Sequence, residues 1–493
     1  MKLFNAFDYF IKERNIDKGN GKNLMIISKH ERITYEDFFI SVTEKYKTVF
    51  EELKFSKRIG IIIADSIIQQ IVYWGCLKNG VVPALFNYNE NVDSVINIIE
   101  KAKIDSVVIA SEKVELLEMI NSKCKLKRLF TVEKNGTIKL FYSDVSRDIT
   151  EKEYKFILFS SGTTGISKGI IHSQTDMKYA AQTYGEQILK LSNKDVVYSM
   201  ASLNYGFAFT NSTFQSVYGC ATVIIDSNTD IWEIYDNIRT FHPTVLCGVP
   251  AIYDSMAELA NDKIEMFSSV RLALSSGEKL SSQLWDTWNG KYNIPIIEGY
   301  GSVEMLTNVI SNSLENYQKG SSGLLLEGYD CKVEFLNSVD KSKGVIIITG
   351  GSVSNESIIS DEKGSKTYNT NDIFTIDKDG FFWYNGRLDN VYKVNGTWFN
   401  PLELEEYIEK FDNIKTAVVI NDNMNLTAYL IVSEDEIVDQ TFIKELNNYL
   451  KQEKKQFICP NNYIVVKKIP RNANGKKLRI IVEQKYIIKS IKV

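Results

Sequence analysis

Residues 58–87 read RIGIIIADSIIQQIVYWGCLKNGVVPALFN, and how this stretch divides decides the fold. RIGIIIAD is the continuous apolar run of a strand buried on both faces. SIIQQIVYWGCLKNG reads as a helix closed by Gly80, and VVPALFN as a second buried strand. Strand, helix and strand in immediate succession predict a parallel sheet covered by helices.

The same buried-strand pattern recurs in DSVVIAS (105–111), VVYSMAS (196–202), ATVIID (221–226), TVLCGV (244–249) and VRLALSS (270–276). In GVPAIYDSMAELA, Pro250 follows a strand and suits the first turn of a helix, where its missing N–H costs little. Residues 320–385 change character. DCKVEFLN, GVIIITGG and DGFFWYNGR predict short strands with tight turns, a small antiparallel or barrel-like unit. Beyond Arg387 a smaller α+β unit is expected: a helix capped by Asn400 with Pro401 next, two strands in TAVVINDNMNLTAYLIVS, a further helix and a strand. The predicted division is 1–386 and 387–493, with a hinge inside GRLDNV.

The chain has 493 residues, 44% hydrophobic, enough for a large core and about three domain-sized units. A net charge of −4 with mixed signs gives no electrostatic case for nucleic acid or an acidic membrane. The six cysteines are scattered without metal-ligand spacing, and a disulfide framework is not expected at this size. The first residues carry charges through their apolar stretch, unlike a signal peptide, and no apolar run reaches membrane-spanning length. The expected compartment is the cytoplasm.

Residues 159–172, FSSGTTGISKGIIH, set glycines and hydroxyls directly after the apolar YKFILF. Backbone N–H groups from Gly162 to Gly165, the hydroxyls of Ser160, Ser161, Thr163 and Thr164, and the charge of Lys168 suit a loop that wraps phosphate oxygens. The spacing is not that of a Walker A loop. A solvated, glycine-tolerant turn is the alternative.

SSGTTGISKG resembles the phosphate-loop signature of the adenylate-forming superfamily, which includes acyl- and aryl-CoA ligases, luciferases and peptide-synthetase adenylation domains. EGYGSVEM (298–305), YNTND (368–372), GRLDNVYKVNG (386–396) and PRNANGKKLR (470–479) resemble its further motifs, in its order. The resemblance implies attack of a carboxylate on the α-phosphorus of ATP, giving an acyl-adenylate and pyrophosphate, then displacement of AMP by a thiol. Both reactants of the first step are anions, so a positive clamp and Mg²⁺ are implied.

Residue by residue, the resemblance implies that the 160–165 loop and Lys168 hold the outer phosphates. Tyr300 packs on adenine with Gly301 and Ser302 beside it, Gly277 and Glu278 line the other face of the base, and Glu304 is the magnesium ligand. Asp372 accepts from the ribose hydroxyls, with Arg387 at the same end, and Lys476 reaches between substrate carboxylate and α-phosphate. Asp389 marks the hinge about which such enzymes swing their small domain. Lys393 and Gly396 then lie near the thiol channel.

Three positions depart from the family pattern. Val303 replaces the usual threonine, whose hydroxyl donates to phosphate; Ser167 replaces proline; Asn371 replaces the glycine before Asp372. The stretch 201–226 most resembles benzoate-CoA ligases, with Tyr205 as the gating aromatic and Phe207, Phe209, Asn211 and Met305 as pocket candidates, which suits a flat aromatic acid. No aspartate lies between Ala201 and Thr213 to hold an α-amine. A general-base role for His172 is not needed, because a carboxylate is already deprotonated. The thiol is that of CoA or of phosphopantetheine on a separate acyl carrier protein. The alternative of another class is a weakly catalytic nucleotide-binding sensor or scaffold, which Val303 alone favours.

Overall fold

A computed structural model describes residues 3–144, 151–160, 168–228, 230–259, 264–336, 342–358, 366–394, 397–422, 425–433, 436–453, 458–471 and 477–492. Two compact units result: 1–331 with 347–368, and 332–346 with 369–493.

Among the described residues, the first unit holds two large α/β sheets. One has seven strands in the order Ile138–Ser143, Arg128–Val132, Ser106–Ala110, Arg58–Ile62, Val82–Leu85, Lys155–Ser160, Lys168–Ser173. Its five inner strands run parallel, with Gly60 opposite Ala84 and Val107, and antiparallel strands finish both edges. The other has nine strands, whose parallel centre includes Val196–Ser199, Val245–Gly248, Leu272–Ser275 and Ile296–Gly301. Antiparallel strands again close its ends.

The opening stretch folds as its pattern demands. Strand Arg58–Ile62 is followed by helix Ile67–Asn79, whose cap Ser66 accepts from Gln69 N and whose end is turned by Gly80 at φ +70°. Only glycine takes that conformation without strain. Trp74, Tyr73 and Leu77 of this helix are fully buried against Phe10, Phe38 and Phe209. A Cβ on Gly75 would lie 2.0 Å from the Phe50 ring, so the glycine admits a neighbouring aromatic. Helix Pro250–Leu259 begins at its proline. No described helix is long and apolar enough to cross a membrane.

The small unit expected at 320–385 is a four-stranded sheet ordered Tyr329–Phe335, Lys343–Gly350, Thr367–Ile376, Phe382–Arg387. Its last two strands pair antiparallel with Asp372 opposite Arg387. In the C-terminal part Asn400 accepts from Leu402 N and starts helix Pro401–Ile408. Strands Ile414–Asp422 and Asn425–Val432 pair antiparallel around the predicted polar turn. Helices Pro401–Ile408 and Gln440–Glu453 place Leu404, Ile408, Phe442 and Leu446 in a core with Ala417, Leu430 and Tyr463.

Candidate active site

The candidate phosphate loop joins two paired strands. Ser160, at the end of one, lies opposite Lys168, the first residue of the next. Ser161, Gly162, Thr163, Thr164 and Gly165 lie outside the described residues, as does the side chain of Ser160. The return strand Lys168–Ser173 is the antiparallel edge of the seven-stranded sheet, and its alternation puts Lys168, Ile170 and His172 on one face. Lys168 Nζ reaches to 3.9 Å from Glu304 Oε1; the lysine is 38% exposed and the glutamate 9%.

Glu304 sits in the short helical turn Val303–Met305 that follows strand Ile296–Gly301. Gly301 is required there, because a Cβ would stand 2.3 Å from the Thr307 carbonyl oxygen. Three successive carbonyls of the turn are tied down. Val303 O accepts from His172 Nε2 (2.8 Å), Glu304 O from Ser354 N (2.8 Å), and Met305 O from Ser352 Oγ (2.8 Å). Among the described residues the Glu304 side chain has Lys168 as its partner, and Ser302 Oγ is shielded from solvent without any. A buried carboxylate and a buried hydroxyl with so little local bonding favour a ligand that completes them. Tyr300 and Glu278 are half-buried, and Gly277 takes φ +93°.

Tyr205 caps helix Gly206–Thr210 and is half-buried. Burial pushes its phenol above the ordinary range, and the charges of Glu90 and Asp65 act the same way, although Asn204 opposes them. Asp65 secures the approach to it, accepting from Ser202 Oγ (2.7 Å), Leu203 N (2.8 Å) and Gln69 Nε2 (3.0 Å). Val303 Cγ2 lies 3.3 Å from where a Gly206 Cβ would stand, so the turns carrying Tyr205 and Glu304 abut.

The pocket candidates divide by environment. Phe207 is half-buried, while Phe209 and Met305 are fully buried. Phe209 lies edge-on to Tyr73 at 5.3 Å, within the main core. Asn211 donates from Nδ2 to Phe207 O (2.8 Å), and its buried Oδ1 has no partner among the described residues.

In the second unit Asp372 is buried on strand Thr367–Ile376. Its Oδ1 accepts from Tyr384 Oη (3.4 Å) and lies 3.6 Å from Arg387 Nη1. Arg387 also reaches Asp389 (3.4 Å), which accepts from Asn371 Nδ2 (2.8 Å). Burial lowers the proton affinity of Arg387, but Asp372, Tyr384 and Asp389 outweigh it and raise it overall. Asn371 explains its own departure from the family pattern: it takes φ +60°, the left-handed conformation that asparagine tolerates best after glycine. Lys393 pairs through its backbone with Trp398, while Gly396 and Lys476 lie outside the described residues. The neighbouring Lys477 donates to Glu409 Oε1 (2.9 Å).

Sequence reasoning gave Asp176, Ser352 and Ser354 behind the Glu304 turn no attention, and gave His172 a structural or substrate-side role in place of a general-base one. Ser173 and Asp176 form a capping box at the start of helix Gln174–Ala180, and that spacing was a local signal.

The family described as AMP-binding enzymes matches residues 13–356. A 4-hydroxybenzoate–CoA/benzoate–CoA ligase of Rhodopseudomonas palustris is 24% identical over 98% of this chain and 94% of its own. An anthranilate–CoA ligase of Pseudomonas aeruginosa is 26% identical over 87% of this chain and 86% of its own. In fold, the chain is similar to the anthranilate CoA ligase AuaEII in complex with anthranoyl-AMP, with a TM-score of 0.84, 22% identity and coverage of 97% and 96%. It is likewise similar to a benzoate CoA ligase from Burkholderia xenovorans LB400, with a TM-score of 0.82, 20% identity and coverage of 97% and 99%.

Proposed function

We propose a function from one premise: the chain belongs to the family of AMP-binding enzymes. It activates an aryl carboxylic acid with ATP, releasing pyrophosphate, and passes the acyl group from the adenylate to the thiol of CoA. The names of the relatives, ligases of benzoate, 4-hydroxybenzoate and anthranilate to CoA, support the acid class and the acceptor. The observation that carries the reading is Lys168 at 3.9 Å from a buried Glu304, with the nearby-in-sequence Ser302 hydroxyl shielded and without a partner among the described residues.

In the proposed mechanism Lys168 and the 160–165 loop hold the outer phosphates, and Asp372 accepts from the ribose hydroxyls with Arg387 beside it. Tyr300 and Gly301 border the adenine, with Gly277 and Glu278 on its other face. The acid lies along Tyr205, Phe207, Asn211 and Met305, with Phe209 behind them. Its carboxylate oxygen bonds to the α-phosphorus as the bond to pyrophosphate breaks. Lys476 neutralises charge between the two anions, and the pairing of Lys477 with Glu409 supports that choice over its neighbour. The thiolate sulfur then bonds to the acyl carbon and AMP leaves.

Glu304 fits a magnesium ion, since a hard carboxylate with substrate phosphates and water is its usual donor set. When bound there, the ion would neutralise phosphate charge. The hinge at Asp389, the division at 386/387 and a thiol path by Lys393 and Gly396 belong to the same proposal. So do the cytoplasmic setting and the absence of a membrane or nucleic-acid partner. The alternative acceptor is phosphopantetheine on a carrier protein.

Acid-dependent ATP–pyrophosphate exchange without thiol tests the reading across benzoates, medium-chain fatty acids and amino acids. Exchange with an aryl acid is expected. Exchange confined to an amino or fatty acid overturns the acid class, and silence in a chain that binds ATP overturns the activity.

A further inference from the structure

We propose that His172 is a positioning residue, fixing the Val303 carbonyl and through it the Glu304 carboxylate; this rests on Glu304 being the metal ligand. His172 is wholly buried, and its ring lies stacked at 5.4 Å and 21° on Phe156. Nε2 is 2.8 Å from Val303 O, a group that only accepts, so Nε2 carries a hydrogen and donates it. Nδ1 is 3.2 Å from Asp176 Oδ2. That carboxylate also takes Lys366 Nζ (2.7 Å) and the backbone N–H of Ser173 (3.2 Å), a set of donors that keeps it an acceptor. The ring is held at both nitrogens and cannot rotate without losing two partners.

The consequence follows from chain connectivity. His172 and Lys168 stand on the same face of one strand, four residues apart. Lys168 meets the Glu304 side chain and His172 meets the carbonyl immediately before it, across 131 residues of sequence. One rigid edge strand thus sets both sides of the Lys168–Glu304 pair. Ser352 and Ser354 hold the next two carbonyls. Without the His172 tie the turn can rotate about its first peptide, which moves Glu304 relative to Lys168. A buried histidine that only filled space would leave the metal response of the site alone, and here the two roles separate.

Two measurements test this. The chain has three histidines, so histidine-selective ¹⁵N labelling gives a simple spectrum. One ring is expected to show a slowly exchanging Nε2–H, and it vanishes in His172→Gln. Three rapidly exchanging rings overturn the geometry. The second measurement is ATP titration with Mg²⁺ and with EDTA on wild type, His172→Leu and His172→Gln, each first shown folded by thermal melting.

The metal-dependent gain in ATP affinity is expected to fall about tenfold in His172→Leu, the usual effect of losing a group that orients a ligand. It should stay within about threefold of wild type in His172→Gln, whose amide can still donate to Val303 O. EDTA affinity should not change. A folded His172→Leu that keeps the full gain overturns the proposal while the acid-activating reading stands. A wild type with no metal-dependent gain overturns the role of Glu304 and this proposal together, and absence of exchange with every acid overturns the function without touching the titration.

Discussion

Replacing Lys168 with methionine separates a structural from a chemical role. Unit charges 3.9 Å apart attract by about 4 kcal/mol at an effective dielectric of about 20. Lys168 is 38% exposed, however, so water screens most of this and the pair is worth about 0–1 kcal/mol. The catalytic loss is of another order. A charge that meets developing phosphate charge in a shielded site contributes about 10²–10³ in rate when removed.

Lys168→Met is therefore expected to lose about 1 kcal/mol in urea unfolding and at least 100-fold in ATP–pyrophosphate exchange. The double change with Glu304→Gln controls for a stranded buried carboxylate, and should recover stability but not rate. A loss above about 3 kcal/mol, or exchange within about threefold of wild type, would refute the reasoning.

Three further expectations can be checked with the same assays. Val303→Thr should fold and exchange faster by about ten- to a hundredfold, the worth of one charge-assisted hydrogen bond; an unchanged or slower rate means the hydroxyl finds no phosphate. Burial works against ionisation of Asp176, but His172 and Lys366 outweigh it and hold the carboxyl below its ordinary 3.8. Its stabilisation is thus lost as pH falls below 3.8, so the stability gap between wild type and Asp176→Asn should shrink on acidification through that range. Asn371→Ala should cost about 1–2 kcal/mol through its left-handed φ and the lost bond to Asp389, and Asn371→Gly less, read by thermal melting.

Much of the fold was legible because burial leaves a direct mark on sequence. The runs around Ile61, Val108, Val197 and Leu246 are buried on both faces and could be little else than inner strands. Gly80 and Asn400 announced helix ends through local chemistry. Other features depended on contacts that no local pattern encodes. KGIIHS has the apolar content of another parallel strand, and only its hairpin pairing with Lys155–Ser160 makes it an antiparallel edge. The division of the parallel strands into two sheets is likewise a matter of register between distant segments.

The site shows the same contrast. Lys168, Glu304, Asp372 and Arg387 stood out through the ordered motifs that resemble those of the adenylate-forming superfamily. His172 did not, since its partner Val303 is an apolar residue that acts through its carbonyl. Phe209 looked like pocket lining by type, yet stands deep among Tyr73, Phe156 and Phe214.

The central claim is attack of a carboxylate oxygen on the α-phosphorus of ATP, and oxygen labelling tests it most directly. With benzoate carrying ¹⁸O in both carboxylate positions, ATP, Mg²⁺ and CoA, the account predicts AMP bearing one ¹⁸O and unlabelled pyrophosphate. ADP together with ¹⁸O in inorganic phosphate would place the attack at the γ-phosphorus and contradict it.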